Sequence, residues 1–299
     1  MPLVRNINCH DRTTIALSAR TLCVPFSTSR GPNPVLGQGR GLPADAIIFD
    51  LEDAVIPEEK VTARETLAEA LETGGYGTRM KIIRLNGLDT EWGAEDAKAA
   101  AAMGADAILL PKVNTPADLD ALAAITGDTP LWAMMETPLG MLNAADIAAH
   151  PKLQGMVMGT NDLAKDLQTR FRTDRLPMMA GLGLCVLAGK AHGVALIDGV
   201  YNAFKDDEGL RIESDQGRDM GFDGKTLIHP AQLDVANEAF SPSDAEVELA
   251  QRQIAAFEEC EASGQGVAVV DGKIVENLHV ATARETLAKL DAIKALNAE

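Results

Sequence analysis

Cysteine is scarce in this sequence and follows no pattern. Cys9, Cys23, Cys185 and Cys260 form no CxxC pair, which excludes a disulfide framework and structural zinc and leaves reduced thiols. Long apolar runs are missing too: none approaches the roughly 18 residues of a membrane span, and residues 1–20 lack the apolar core of a signal peptide. A cytoplasmic protein is expected. Positive charge is in deficit, with 27 Lys and Arg against 44 Asp and Glu and a net charge of −17. Such a surface repels nucleic acid and anionic membranes, so neither is an expected partner. A small anionic ligand then needs a local cationic site. Finally, no GxGxxG follows a strand, which argues against a dinucleotide-binding fold.

What is present is an alternation. The 299 residues, 46% hydrophobic and 24% charged, suffice for one large α/β barrel or two smaller domains. Short apolar runs at 21–26, 46–51, 81–85, 107–110, 131–135, 155–158, 195–198 and 225–228 have strand length. Several are apolar on both faces, as buried parallel strands are. Amphipathic helix candidates lie between them, at 58–72, 91–103, 116–125 and 231–239. The third has Pro116 in its first turn and Thr115 as N-cap. Eight such units predict a closed (β/α)8 barrel, a TIM-barrel α/β fold, over residues 1–240. A C-terminal helix–hairpin–helix extension follows at 241–299: a helix over 243–264, a hairpin over 267–275 turning at Asp271-Gly272, and a helix over 281–296. Residues 1–40 are atypical. They hold five arginines and one acid, a net of +4, so the rest of the chain carries −21.

In such barrels the active site lies at the carboxyl ends of the strands. The polar residues there are Asp50-Leu51-Glu52-Asp53, Arg84-Leu85-Asn86-Gly87, Lys112, Glu136, Asn161-Asp162, Asp198 and His229. Carboxylates gathered on one rim are costly to bury unless a cation neutralises them. Glu136 and Asp162, from adjacent strand ends, are the candidate ligands of a Mg²⁺ ion whose other positions go to water and substrate, with Mn²⁺ as the alternative metal. No His–Cys set suits zinc or iron. The competing reading pairs these acids with Arg84 and Lys112 in a structural network. Arg84 is a clamp for a substrate carboxylate, or a salt-bridge partner of Glu52 or Asp53. Lys60 and Arg64, one helical turn apart, face phosphates at the barrel mouth, or form a solvated face with Glu58 and Glu65. His229, before Pro230, reads as a capping or packing residue, and Asp198 is similarly ambiguous. Trp92 and Trp132 read as structural.

These segments together resemble the citrate lyase β-subunit-like (CitE-like) branch of the HpcH/HpaI aldolase superfamily. The carrying motifs are Phe49-Asp50-Leu51-Glu52-Asp53-Ala54-Val55 with Lys60 and Arg64, Arg84-Leu85-Asn86-Gly87, Leu110-Pro111-Lys112-Val113, Met135-Glu136-Thr137, Gly159-Thr160-Asn161-Asp162-Leu163-Ala164 and Gly224-Lys225-Thr226-Leu227-Ile228-His229-Pro230. Within the branch, residues 132–137, 198–204 and 217–230 look most like the malyl-CoA enzymes, especially the (3S)-malyl-CoA thioesterases. The resemblance implies Mg²⁺ on Glu136 and Asp162, with Glu52 and Asp53 ordering its waters. It also implies Arg84 on the substrate's carboxylate, and Lys60 and Arg64 toward the CoA. It further implies a homotrimer or homohexamer whose tail covers a neighbour's site.

Two departures stand out. Malyl-CoA lyases carry an acid/base aspartate after the tail hairpin, where this chain has Glu276. The family's arginine-bearing turn after strand one is replaced by Phe26-Ser27-Thr28-Ser29-Arg30-Gly31-Pro32, leaving Arg30 as the substitute ligand contact. A local reading-frame slip would leave such a break. The expected reaction is hydrolysis of (3S)-malyl-CoA to malate and CoA, with Glu276 as the carboxylate that activates water. The alternatives are malyl-CoA or citramalyl-CoA lyase chemistry, a metal-dependent 2-oxo-acid aldolase, and a non-catalytic subunit.

Overall fold

The computed structural model describes residues 22–27, 39–263 and 267–297. Eight parallel strands run β1 (Leu22–Ser27), β2 (Ala46–Asp50), β3 (Met80–Arg84), β4 (Ala107–Leu110), β5 (Leu131–Met135), β6 (Leu153–Met158), β7 (Ala195–Asp198) and β8 (Gly224–Leu227). They hydrogen-bond in chain order, and β1 pairs with β8 through Leu22↔Thr226 and Cys23↔Leu227, closing the ring. The α/β fold is therefore of barrel type. The helices are α1 (Lys60–Thr73), α2 (Gly93–Ala102), α3 (Pro116–Thr126), α4 (Pro138–Leu142), α5 (Ala144–Ala148), α6 (Thr160–Asp166), α7 (Met179–His192), α8 (Asp207–Met220) and α9 (Leu233–Phe240). Helix starts follow local chemistry. Asp118 accepts the Thr115 N–H at 2.8 Å at the head of α3, with Pro116 fixing the first turn.

The strands are apolar on both faces because each face meets a different core. Ala46, Ile48, Ile82, Leu109, Trp132, Val157 and Ile197 point into the barrel. Their immediate neighbours Ile47, Phe49, Ile83, Ile108, Leu110, Leu131, Ala133, Met156 and Leu196 join the larger core beneath the helices. The side-chain period of two thus sorts every strand residue into interior or helix layer. Trp132 fills the barrel centre at 0% exposure. It lies against Gly155, where any Cβ would overlap the indole.

After α9 come α10 (Asp244–Ser263), strands β9 (Ala268–Val270) and β10 (Lys273–Val275), and α11 (Asn277–Asn297). The two strands are antiparallel and turn at Asp271 and Gly272, both in the left-handed region (φ 50° and 74°). Ala268, Val270, Val275 and Val280 form a small cluster of their own with Ile254, Phe257 and Cys260. Helix α11 begins four residues before the expected 281, because Glu276 supplies its cap. The Glu276 carbonyl accepts from the N–H groups of His279 and Val280, and the His279 Nδ1 accepts the Glu276 N–H at 3.0 Å. No described helix is long and apolar enough to cross a membrane.

Gly155→Ala should cost about 1–3 kcal/mol by overpacking the barrel centre. Chemical denaturation followed by circular dichroism is expected to show a lowered midpoint with an unchanged slope.

Candidate active site

The period-two alternation decides which charged side chains reach the barrel mouth. Asp50 continues the interior face of Ala46 and Ile48, Arg84 that of Ile82, and Glu136 that of Trp132 and Met134. All three line a cavity of about 330 Å³ at the carboxyl ends of the strands. Asp53, Asn161, Asp162 and Asn202 complete its polar wall; Leu109, Val157 and Ile228 contribute apolar surface. Asp198 and Lys225 fall on the opposite parity. They face the helix layer, where Asp198 meets Arg175 at 2.7 Å and Lys225 at 3.2 Å. Lys225 also meets Glu213 at 2.7 Å. This buried network lies outside the mouth and resolves Asp198 as structural.

Glu136 is 1% exposed. Its Oε1 accepts the Lys112 backbone N–H at 2.8 Å, a donor aimed by the left-handed conformation of Lys112 (φ 52°). Burial, and then the charge of Glu52, push its carboxyl up to about 7 against the opposing Lys112 N–H and Arg84; Asp162 adds to the rise. Gly159 leaves room for it, since a Cβ there would overlap the Glu136 side chain. The Asp162 carboxylate has no hydrogen-bond or ion-pair partner among the described residues and faces the same cavity. The Lys112 ammonium goes to Glu52 at 3.1 Å, and Arg84 goes to Asp50, Glu52 and Asp53. The structural network of salt bridges therefore exists, but Glu136 and Asp162 stand outside it. Two carboxylates without a side-chain cation, one raised by burial and like charge, could serve as donors to a hard divalent ion. Among the described residues no group of three or more His, Cys, Asp or Glu side chains forms a metal cage.

Arg84 is held rigidly. Its Nε and Nη2 grip both oxygens of Asp50, at 2.7 and 2.5 Å, and Nη1 meets Glu52 at 3.0 Å. A carboxylate ligand would meet its remaining N–H groups rather than that fork. Asp53 is 62% exposed and borders the cavity, whereas Glu52 is buried behind Arg84. The partnership of Asp50 with Arg84 is the feature that residue type alone missed; interior parity of the two strands would have found it.

Neither Lys60 nor Arg64 lines the cavity, and both are bonded to groups of the protein itself. Lys60 is 6% exposed and donates to the carbonyls of Leu51 at 2.9 Å and Glu52 at 2.6 Å. It therefore pins the loop after β2. Arg64 pairs with Asp96 at 2.9 Å, and Asp96 also accepts from Asn86 at 2.6 Å. Buried acids and carbonyls claimed both cations, since such groups need a partner more than the solvent does. Arg30 lies outside the described residues. Glu276 is exposed and does not line its own chain's cavity. His229 caps the turn before α9, its Nδ1 accepting the Ala231 N–H at 3.1 Å.

Residues 31–230 match the HpcH/HpaI aldolase/citrate lyase family. The chain belongs to that family. It is 67% identical, over 93% of its length and 96% of the relative's, to a (3S)-malyl-CoA thioesterase of Cereibacter sphaeroides. It is 34% identical to a citrate lyase subunit beta of Leuconostoc mesenteroides, covering 90% of this chain and 93% of that one. Among solved structures it is similar to CitE from Mycobacterium tuberculosis in complex with magnesium, acetoacetate and coenzyme A. That likeness has a TM-score of 0.73 and 28% identity, over 91% of this chain and 99% of the other.

In calorimetric titration, Glu136→Gln should weaken Mg²⁺ binding by more than about tenfold, because ligand charge sets affinity. The wild-type affinity should fall about tenfold per pH unit below about pH 7, where Glu136 takes up a proton that competes with the metal. The sign for stability is the reverse of a salt-bridged acid. The folded state holds the Glu136 proton more tightly than the ordinary value of 4.5, so metal-free stability falls as pH rises from there to about 7.

Proposed function

We propose that this chain is a Mg²⁺-dependent thioesterase that hydrolyses (3S)-malyl-CoA to malate and free CoA. The carrying observation is the 67% identity, across nearly the whole of both chains, to an enzyme of that name. The cavity supports it. Glu136 and Asp162 would hold the metal, with Mn²⁺ as a substitute, and the bound ion would supply Lewis-acid polarisation of the malyl hydroxyl and carboxylate.

The chain's own groups do the rest. Arg84, neutralised on one edge by Asp50, presents its remaining N–H groups to the substrate carboxylate. Asp53 orders water at the cavity's edge, and Glu52 keeps Arg84 and Lys112 in place. The apolar wall formed by Leu109, Val157 and Ile228 keeps bulk water from the thioester. Glu276 acts from a neighbouring chain. It takes a proton from water as the water oxygen bonds to the thioester carbonyl carbon, and the C–S bond then breaks to release the CoA thiolate, which takes up a proton. In this reading residues 241–299 are an extension of the 1–240 barrel that packs on a partner in a homotrimer or homohexamer. The exposed Val269, Ile274 and Leu278 around the hairpin support a tail made to be covered.

A carbon–carbon lyase reading draws on the citrate lyase relatives at 34% identity. There the same tail group, in its protonated carboxylic acid form, would give its proton to an enolate instead of activating water.

Incubation with (3S)-malyl-CoA and Mg²⁺ should yield equimolar malate and CoA by mass spectrometry; stoichiometric glyoxylate and acetyl-CoA would overturn hydrolysis in favour of cleavage. Glu276→Gln should lower kcat by about 100-fold or more, the usual contribution of a general base. Mixing inactive Glu136→Gln with inactive Glu276→Gln chains and allowing subunit exchange should restore part of the activity, since some sites then regain both groups.

A further inference from the structure

The cavity wall carries two neutral amides among its acids. Asn161 lies in the first turn of α6 and Asn202 in the loop after β7, and both line the cavity beside Asp162. Their side chains bond reciprocally. The Asn202 Nδ2 donates to the Asn161 Oδ1 at 2.7 Å, and the Asn161 Nδ2 donates to the Asn202 Oδ1 at 3.2 Å. A side-chain amide has two N–H groups, so this pairing uses one on each residue and leaves one on each. Both residues are exposed, and among the described residues no other group takes those remaining N–H groups.

The loop that carries Asn202 is fixed on both sides. The Gly199 carbonyl accepts from the Lys225 ammonium at 2.6 Å, and a Cβ at Gly199 would lie 2.6 Å from the Thr160 side chain. Gln232, 0% exposed, donates its Nε2 to the Tyr201 carbonyl at 2.8 Å. Its Oε1 accepts the N–H groups of Ile228 and His229, tying the loops after β7 and β8 together. The Tyr201 hydroxyl donates to Asp206 at 2.6 Å. A donor that must meet charge formed during a reaction works best when it is already in place. The cavity's other side-chain donors are occupied or covered. The Thr226 hydroxyl donates to the Asp198 carbonyl at 2.8 Å, Thr160 is 5% exposed, and Arg84 is gripped by Asp50 and Glu52.

We propose that Asn202, locked by Asn161, is the oxyanion donor for the thioester. Its remaining Nδ2 N–H, with that of Asn161 beside it, hydrogen-bonds the thioester carbonyl oxygen as that oxygen becomes negative. The proposal rests on the hydrolysis reading above and adds the group that reading lacks. There the malyl hydroxyl and carboxylate go to the metal and Arg84, which leaves the thioester oxygen without a partner. As water bonds to the carbonyl carbon, its proton passes to Glu276 and the C=O electron pair moves onto the oxygen. That charge forms in a cavity walled by Asp50, Asp53, Glu136 and Asp162. A further carboxylate at 202 would repel it, whereas a neutral N–H stabilises it. When the carbonyl re-forms, the C–S bond breaks, and the CoA thiolate leaves and takes up a proton.

The test is steady-state hydrolysis of (3S)-malyl-CoA by the full chain with Mg²⁺, alongside calorimetric Mg²⁺ binding. Asn202→Ala should lower kcat by about 100-fold, the usual contribution of one oxyanion donor. KM and the pH profile should not change, because the interaction is made only in the transition state. Asn202→Asp, which keeps the shape but turns a charge toward the oxyanion, should be slower still. Mg²⁺ affinity should be unchanged in both variants, which controls for folding and for the placing of Asp162. Either variant working at the wild-type rate would overturn the proposal while hydrolysis stands. A loss of Mg²⁺ affinity in step with kcat would overturn it too, since Asn202 would then act by placing Asp162. If wild type releases no malate and CoA, the hydrolysis reading falls and the donor assignment falls with it.

Discussion

Everything at the mouth of this barrel depends on the two-residue alternation of its strands. A parallel strand inside a closed ring has no solvent face, so each side chain enters either the barrel or the helix layer. That rule sends Asp50, Arg84 and Glu136 to one cavity and Asp198 and Lys225 to another environment, although Asp198 also stands at a strand end. A one-residue shift in any strand would exchange the two sets.

The second constraint is electrostatic. The mouth gathers more acids than its two cations can neutralise. Arg84 and Lys112 are drawn to Asp50 and Glu52, which leaves Glu136 and Asp162 facing each other's charge. Burial raises that cost, and the Glu136 carboxyl responds by holding its proton to about pH 7. A divalent ion held there would remove the penalty, so the unfavourable charge distribution of the cavity's own residues would be the source of its metal affinity.

The buried network behind β7 and β8 serves a different end. Burial pushes the Asp198 carboxyl up, but Lys225 and Arg175 outweigh it and hold the group below its usual range. Removing one member of such a network leaves an uncompensated charge, worth about 3–5 kcal/mol. The Lys225 ammonium also donates to the Gly199 carbonyl at 2.6 Å. The network thereby anchors the loop that carries Val200 and Asn202 to the cavity wall. Rigid support beneath a polar loop is what a positioned binding surface needs.

Strand positions were readable to within a residue or two, because a short run apolar on both faces fits little besides a buried parallel strand. Glu136 and Asp162 could be singled out by their place at strand ends. Lys60 and Arg64 show what spacing leaves out. Their one-turn spacing read as a phosphate-facing pair, yet buried carbonyls and Asp96 hold both. Spacing along a helix says which residues share a face, not what that face meets. The Asn161–Asn202 pair was equally hidden, since its members are far apart in the chain and meet only because β6 and β7 are neighbours. The order of the residues thus determined the alternation, the barrel and the acids on its rim, all consequences of local period and composition. Only the tertiary structure decided which cations remained free, because that depends on which buried groups come close enough to claim them.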